Sequence, residues 1–131
     1  MRIEEAPRNP RQGYLEARPG DVIGRDDLLL IDVRDERELT GGFGHIHGVL
    51  HVPEDRLRAE GLPGVSRETP LVVVCDNGRR SAVCARELIH EHGYREVYHL
   101  VGGMLRWTAE ERPIAKAPTW VAPDGSVSAS R

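Results

Sequence analysis

Residues 71–89 read LVVVCDNGRRSAVCARELI. An aliphatic run ends on Cys75, a polar turn of Asp76, Asn77, Gly78, Arg79 and Arg80 follows, and Ser81 opens an amphipathic stretch. If the aliphatic run is a strand and the amphipathic stretch a helix, the turn wraps the cysteine at a helix N-terminus. Backbone N–H groups have no intrahelical partner there, and the helix dipole is positive. Such a turn makes an anion cradle around the sulfur. The chemistry that follows is nucleophilic, because a thiol in an electropositive cradle ionises more readily and the thiolate is the attacking species. Arg79 and Arg80 add positive charge, whereas the carboxylate of Asp76 opposes a second negative charge unless it points to solvent. Taken alone, a cysteine at a strand end reads as a small buried hydrophobe. Gly78, two arginines and a helix start within the next turn raise Cys75 above that reading.

The elements that must position this turn are legible on either side of it. Leu71–Val74 and the run of Leu28, Leu29, Leu30, Ile31 and Val33 lack the alternation of a half-exposed strand, so both read as strands buried on two faces. Ser81, Cys84, Ala85, Leu88 and Ile89 fall on one helical stripe, stopped near Gly93. Residues 96–103 (EVYHLVGG) give a further strand closed by a glycine pair, and MLRWTAEER a last helix before Pro113. Residues 36–57, with Gly41, Gly42, Gly44 and Gly48, read as a loop with an extended piece at Val49–Val52, and residues 54–60 as one or two helical turns. Tyr14 and Leu15 anchor a short strand after an irregular lead-in over residues 1–13. Residues 114–131 read as a flexible tail on which Trp120 is the one docking candidate. Buried strands alternating with helices imply an α/β fold, a parallel β-sheet flanked on both faces by α-helices, with ligands beyond the carboxyl ends of its strands.

Composition narrows the function. The chain has 131 residues, enough for one core, with 30% charged residues and a formal net charge of −3, so no basic surface invites nucleic acid or a membrane. The N-terminus has no apolar signal core and no stretch is long enough to span a bilayer, which gives the expectation of a cytoplasmic protein with reduced thiols.

Four segments in order resemble the rhodanese-like sulfurtransferases. LLLIDVRDERE is similar to the family's first diagnostic strand, GHIHGVLHVP to its Gly-His-Ile-Pro-Gly-Ala turn, VVVCDNGRRSAVCARELI to its active-site loop and helix, and VYHLVGGMLRW to its closing strand, Gly pair and Trp. The resemblance covers residues 14–113 as the domain. It departs at His47, where proline is usual, at Asp76, where arginine is frequent, and at Gly42-Phe43, a small insertion. The resemblance implies a sulfurtransferase in which Cys75 takes sulfane sulfur from a donor such as thiosulfate, holds it as a persulfide, and passes it to cyanide or a thiol. It makes Cys75 catalytic and Asp76, Asn77, Gly78, Arg79, Arg80 and Ser81 substrate-binding, with Ser81 as an extra donor and helix N-cap. The implied partners are a small anionic sulfur donor, a thiol or cyanide acceptor, and a sulfur-carrier protein; no metal or cofactor is implied.

The alternatives are a non-catalytic interaction module on the same fold and a cysteine phosphatase. The second would need arginine where Ser81 stands, six positions after the cysteine. His45, His47 and His51 read as turn residues rather than metal ligands, and His99 as strand packing rather than a general base. Cys84 reads as core filler, and Asp32 and Arg34 as residues pinning loops near the site.

Overall fold

A computed structural model describes residues 12–125. Five strands, β1 (Leu15–Ala17), β2 (Leu29–Asp32), β3 (Leu50–His51), β4 (Leu71–Val74) and β5 (Val97–Leu100), form one sheet in the order β1-β5-β4-β2-β3. Every pairing is parallel. The helices are α1 (Pro19–Val22), α2 (Glu36–Leu39), α3 (Glu54–Glu60), α4 (Arg79–His90) and α5 (Gly103–Ala109). Among the described residues, no helix is long and apolar enough to cross a membrane.

The central strand β4 explains the layering. Its side chains alternate across the sheet, so Leu71 and Val73 point with Cys75 into a core shared with Leu57 of α3 and with Cys84, Ala85 and Leu88 of α4. Val72 and Val74 point the other way, against Val22 of α1 and Met104 and Trp107 of α5. All four β4 residues are fully buried, each valine contributing about 1.5–3 kcal/mol by leaving water. Helices therefore cover both faces of a parallel sheet, as the sequence predicts.

The differences lie in the short elements. Residues 36–57 are not a loop throughout, because α2 makes one turn at Glu36–Leu39, closed by Glu38 Oε1 accepting from the Asp35 N–H at 3.2 Å. That is half of a capping box, and the D-x-x-E spelling was available in the sequence.

The stretch from 114 to 121, read as the start of a flexible tail, is laid against the domain instead. Ala115 and His45 exchange backbone hydrogen bonds of 2.8 Å, and Val121 does the same between Val49 and His51. Trp120, only 4% exposed, packs on Leu39 and Val49 and meets the rings of His45 and His51 edge-on. The backbone groups of the short edge strand β3 gain partners by this docking. The last residues of that tail, 126–131, and most of the lead-in lie outside the described residues.

Candidate active site

Cys75 follows β4 directly, and Gly78 supplies the N-cap of α4 with φ of +97°, a left-handed conformation that favours glycine. The turn this allows brings two backbone donors onto one sulfur. The Gly78 N–H lies 3.0 Å from Cys75 Sγ and the Ser81 N–H 3.2 Å. The Ser81 hydroxyl stands 3.3 Å from the same sulfur and 2.9 Å from Nδ1 of His99, with the Gly78 carbonyl at 3.2 Å. Cys75 and Ser81 are wholly buried and His99 is 8% exposed. Burial disfavours the imidazolium and pushes the His99 pKa below its ordinary value.

The backbone of the loop is fixed from outside. The carbonyls of Cys75 and Asp76 accept 2.8 Å hydrogen bonds from the N–H groups of Met104 and Leu105 in the first turn of α5. This approach requires Gly103, at φ +55°, since a Cβ there would stand 2.5 Å from the Cys75 oxygen. Gly78 is also confined, because a Cβ on it would reach 3.0 Å from Cε1 of His99.

The residues predicted to bind substrate divide into two groups. Gly78 and Ser81 face the sulfur; Ser81 sits within the first turn of α4 and is not its N-cap. Asp76, Asn77, Arg79 and Arg80 line, with Glu54 and Val83, a shallow pocket of about 380 Å³ on whose wall Cys75 does not appear. Asn77 Oδ1 accepts from the Arg79 N–H at 3.0 Å, and the Arg79 side chain is exposed. Arg80 is engaged elsewhere. It binds both oxygens of Glu38, at 3.0 and 2.8 Å, and Asp76 Oδ1 at 3.1 Å. The hydrogen bond from Arg80 holds the Glu38 carboxyl below its ordinary range. For Asp76 burial works upward, but the Arg80 and Asn77 hydrogen bonds outweigh it and the pKa falls. Asp76 therefore pairs with Arg80 while its side chain stays 38% exposed to solvent.

Beneath this mouth lies a buried ion pair. Arg34 Nε and Nη2 meet the two oxygens of Asp32 at 2.9 and 2.8 Å, and Nη2 also donates to the Gly44 carbonyl at 2.7 Å. Arg34 Nη1 reaches the Glu38 carbonyl at 3.4 Å, so the pair anchors the element that holds Arg80. The loop-pinning role read for Asp32 and Arg34 matches these contacts.

Glu38 is a residue that sequence reading missed, and His99, read there as strand packing, lies beside the Ser81 hydroxyl at 2.9 Å. Glu38 carried the capping-box signal only. His99 carried strand parity: it lies on the sheet face opposite Tyr98, which is the face of Cys75.

Nδ1 and Nε2 of His45 are bonded to the Leu39 carbonyl and the Thr119 hydroxyl, both at 2.7 Å, while His47 is exposed. Cys84 is buried, and loss of solvation pushes its pKa up to about 12. A cavity of about 590 Å³ lies among Ile23, Leu30, Ile46, Trp107 and Ile114 and includes no residue of the Cys75 loop.

The chain is 33% identical over 96 residues to a thiosulfate sulfurtransferase, GlpE, of Coxiella burnetii, covering 73% of this chain and 84% of that one. It is 31% identical over 123 residues to a tRNA uridine(34) hydroxylase of Hamiltonella defensa, where the match takes in 86% of this chain but spans only 34% of the larger relative. A rhodanese-related protein of Thermoplasma volcanium superposes with a TM-score of 0.67 at 28% identity, over 79% of this chain and 99% of that structure. Residues 20–110 match the sequence model of the rhodanese-like domain. With that match covering most of its length, this chain belongs to the rhodanese-like domain family.

Proposed function

We propose that this protein is a sulfurtransferase that carries sulfane sulfur as a persulfide on Cys75. The observation that carries the reading is the pair of backbone N–H groups, from Gly78 and Ser81, held at 3.0 and 3.2 Å on the Cys75 sulfur. Donors fixed in advance stabilise an anion without reorganising when the charge arrives, and both the thiolate and the persulfide are anions. Family membership and the likeness to a thiosulfate sulfurtransferase support the same class of chemistry.

In the first step the Cys75 thiolate attacks the outer sulfur of the donor. With thiosulfate the sulfur–sulfur bond of the donor breaks, sulfite leaves with the bonding electron pair, and Cys75 holds the transferred sulfur as Cys–S–S⁻. In the second step cyanide or an acceptor thiolate attacks the terminal sulfur and the Cys75 thiolate is regenerated. Exposed Arg79 is the cation offered to an anionic donor, since Arg80 is committed to Glu38 and Asp76. Because Cys75 has no exposed surface, the side-chain rim over the loop has to part for the donor to reach the sulfur, with the backbone donors left in place. A donor or acceptor carried on another protein suits that requirement, as docking on the loop supplies the energy to move it. The reading calls for a reducing, cytoplasmic setting, in which Cys75 stays a thiol between turnovers.

Intact mass spectrometry of the reduced protein after thiosulfate, and again after cyanide, tests the proposal. The expected result is a gain of one sulfur atom in the wild type and in Cys84→Ser, removed by cyanide as thiocyanate, with no gain in Cys75→Ser. A bare Cys75 after both thiosulfate and a small-molecule persulfide would sink the enzymatic reading. The complete burial of Cys75 would then favour the non-catalytic interaction module, with the exposed rim of the loop as its contact surface.

A further inference from the structure

We propose that His99 is the proton acceptor for Cys75, reached through the Ser81 hydroxyl, so that a buried Cys75–Ser81–His99 relay ionises the thiol before it reacts. The inference deepens the sulfurtransferase reading and rests on it for the use made of the thiolate. The geometry has three parts. Cys75 Sγ lies 3.3 Å from Ser81 Oγ, a distance at which the S–H donates to the hydroxyl. Ser81 Oγ lies 2.9 Å from His99 Nδ1, closer than its other acceptor, the Gly78 carbonyl at 3.2 Å. The imidazole packs against the Tyr14 ring, edge-on at 5.5 Å, and lies so near Gly78 that a Cβ there would stand 3.0 Å from Cε1.

The site needs such an acceptor. Arg80 is neutralised by Glu38 and Asp76, exposed Arg79 lines the outer pocket on whose wall Cys75 does not appear, and Cys75 and Ser81 are closed to solvent, so neither a guanidinium at the sulfur nor bulk water stands ready to stabilise or take the charge. Burial keeps the imidazole neutral, with its Nδ1 lone pair available, until the thiol gives up its proton; the attraction between the new thiolate and imidazolium, joined through Ser81, then has to offset the cost of a buried imidazolium. In the transfer the S–H bond breaks and its electron pair stays on sulfur. The proton passes to Ser81 Oγ, and the hydroxyl proton of Ser81 passes to Nδ1. The hydrogen bonds then reverse: imidazolium Nδ1–H donates to Ser81, and Ser81 O–H donates to the thiolate as a third donor beside the two backbone N–H groups. The proton stays on His99 while sulfur is taken up and passed on, since neither displacement consumes or releases one. His99 touches no substrate and acts as a positioning residue through Ser81.

Other groups that carry charge around this pair are Glu16, the register partner of His99 on β1; Tyr14; Asp76 and Arg80 beside the sulfur; Glu38 on Arg80; Cys84 in the same core as Cys75; and Arg106 on α5 against Gly102. The test must therefore separate His99 from them. The rate of Cys75 alkylation by iodoacetamide is measured from about pH 5 to 10 on the full chain in a Cys84→Ala background, alone and with His99→Asn or Ser81→Ala. Asparagine keeps a hydrogen-bonding atom near the Nδ1 position but does not titrate. The midpoint of the pH profile is expected to rise by about one unit in both variants, a roughly tenfold slower reaction at neutral pH. Profiles that superimpose on the parent overturn the relay. Should His99→Asn fail to fold by circular dichroism, His99→Gln and Ser81→Ala are read by the same criterion. Sulfur uptake by the parent from thiosulfate and from a small-molecule persulfide is followed in parallel: uptake with unmoved profiles refutes the relay alone, whereas shifted profiles without uptake from either donor refute sulfur transfer and leave the relay standing.

Discussion

Replacing Asp32 with asparagine should be among the most damaging single changes outside the loop, although Asp32 touches none of the reacting atoms. Asp32 has no exposed surface and Arg34 is 1% exposed; besides the two guanidinium contacts, Asp32 Oδ1 accepts from the Arg34 N–H at 3.1 Å. Asparagine keeps the shape but removes the charge and turns one oxygen into a donor facing another donor. Stripping one partner from a buried ion pair leaves an uncompensated charge and costs about 3–5 kcal/mol. That is a large part of the roughly 5–15 kcal/mol that holds a domain folded. With a denaturant slope near 2 kcal/mol per molar, inside the usual range of about 1–3 for urea, the midpoint should fall by about 2 M. Equilibrium urea unfolding followed by tryptophan fluorescence measures this. The double change Asp32→Leu with Arg34→Met should recover about half the loss or more, because no unpaired charge remains inside; the Gly44 and Glu38 carbonyls that Arg34 served keep it from recovering all. A loss in Asp32→Asn below about 1 kcal/mol, the range of exposed pairs, would show that water reaches the pair and would refute the reasoning.

Three further outcomes are expected. Gly103→Ala places a Cβ 2.5 Å from the Cys75 carbonyl at a φ of +55°; it should destabilise by more than about 2 kcal/mol and abolish sulfur uptake while far-UV circular dichroism still shows α/β structure. Glu38 has its folded pKa held below the ordinary 4.5 by Arg80, so the stability it contributes is fully present above that pH and is lost as pH falls through the folded value; Glu38→Gln should flatten the acid limb of stability below about pH 4.5, by about 1 kcal/mol or less for a half-exposed pair. Cys84, its pKa pushed up to about 12 by burial, should resist iodoacetamide at pH 8 in the native protein and react once urea unfolds it, a difference that intact mass reads directly.

How much of this was legible depended on whether one residue type or a tertiary meeting carried the information. Leu71–Val74 and Leu29–Ile31 had to be buried strands because no face of either is polar, and Cys84, Ala85 and Leu88 set the buried stripe of α4 whatever packs on it. The loop after Cys75 was readable for a similar reason: a strand end, a glycine and a helix start leave few ways to turn. The helices α1 and α2 were missed because one-turn helices carry too few residues for periodicity to show, and the four glycines after α2 pull the reading towards loop. The docking of Trp120 depends on an edge strand and two histidines remote in sequence. The fate of Arg80 was also beyond local reading. Two adjacent arginines beside a cysteine suggest an anion site, but Glu38 comes from another element and takes up one of them. His99 needed strand parity and its distance from Ser81 together, and only the first is written in the chain.

The clamp from α5 separates two properties that usually change together. The carbonyls of Cys75 and Asp76 are held by the Met104 and Leu105 amides, and the sulfur is met by the Gly78 and Ser81 amides. Every one of these contacts is made by main chain, which no substitution at positions 76, 77, 79 or 80 removes. Those four side chains point into the outer pocket instead. The backbone donors at the sulfur are thus set apart from the rim, so substitution at those four positions should leave the cradle around Cys75 in place. The carboxylate of Asp76 then sets the charge of the rim and leaves the backbone contacts to the sulfur untouched.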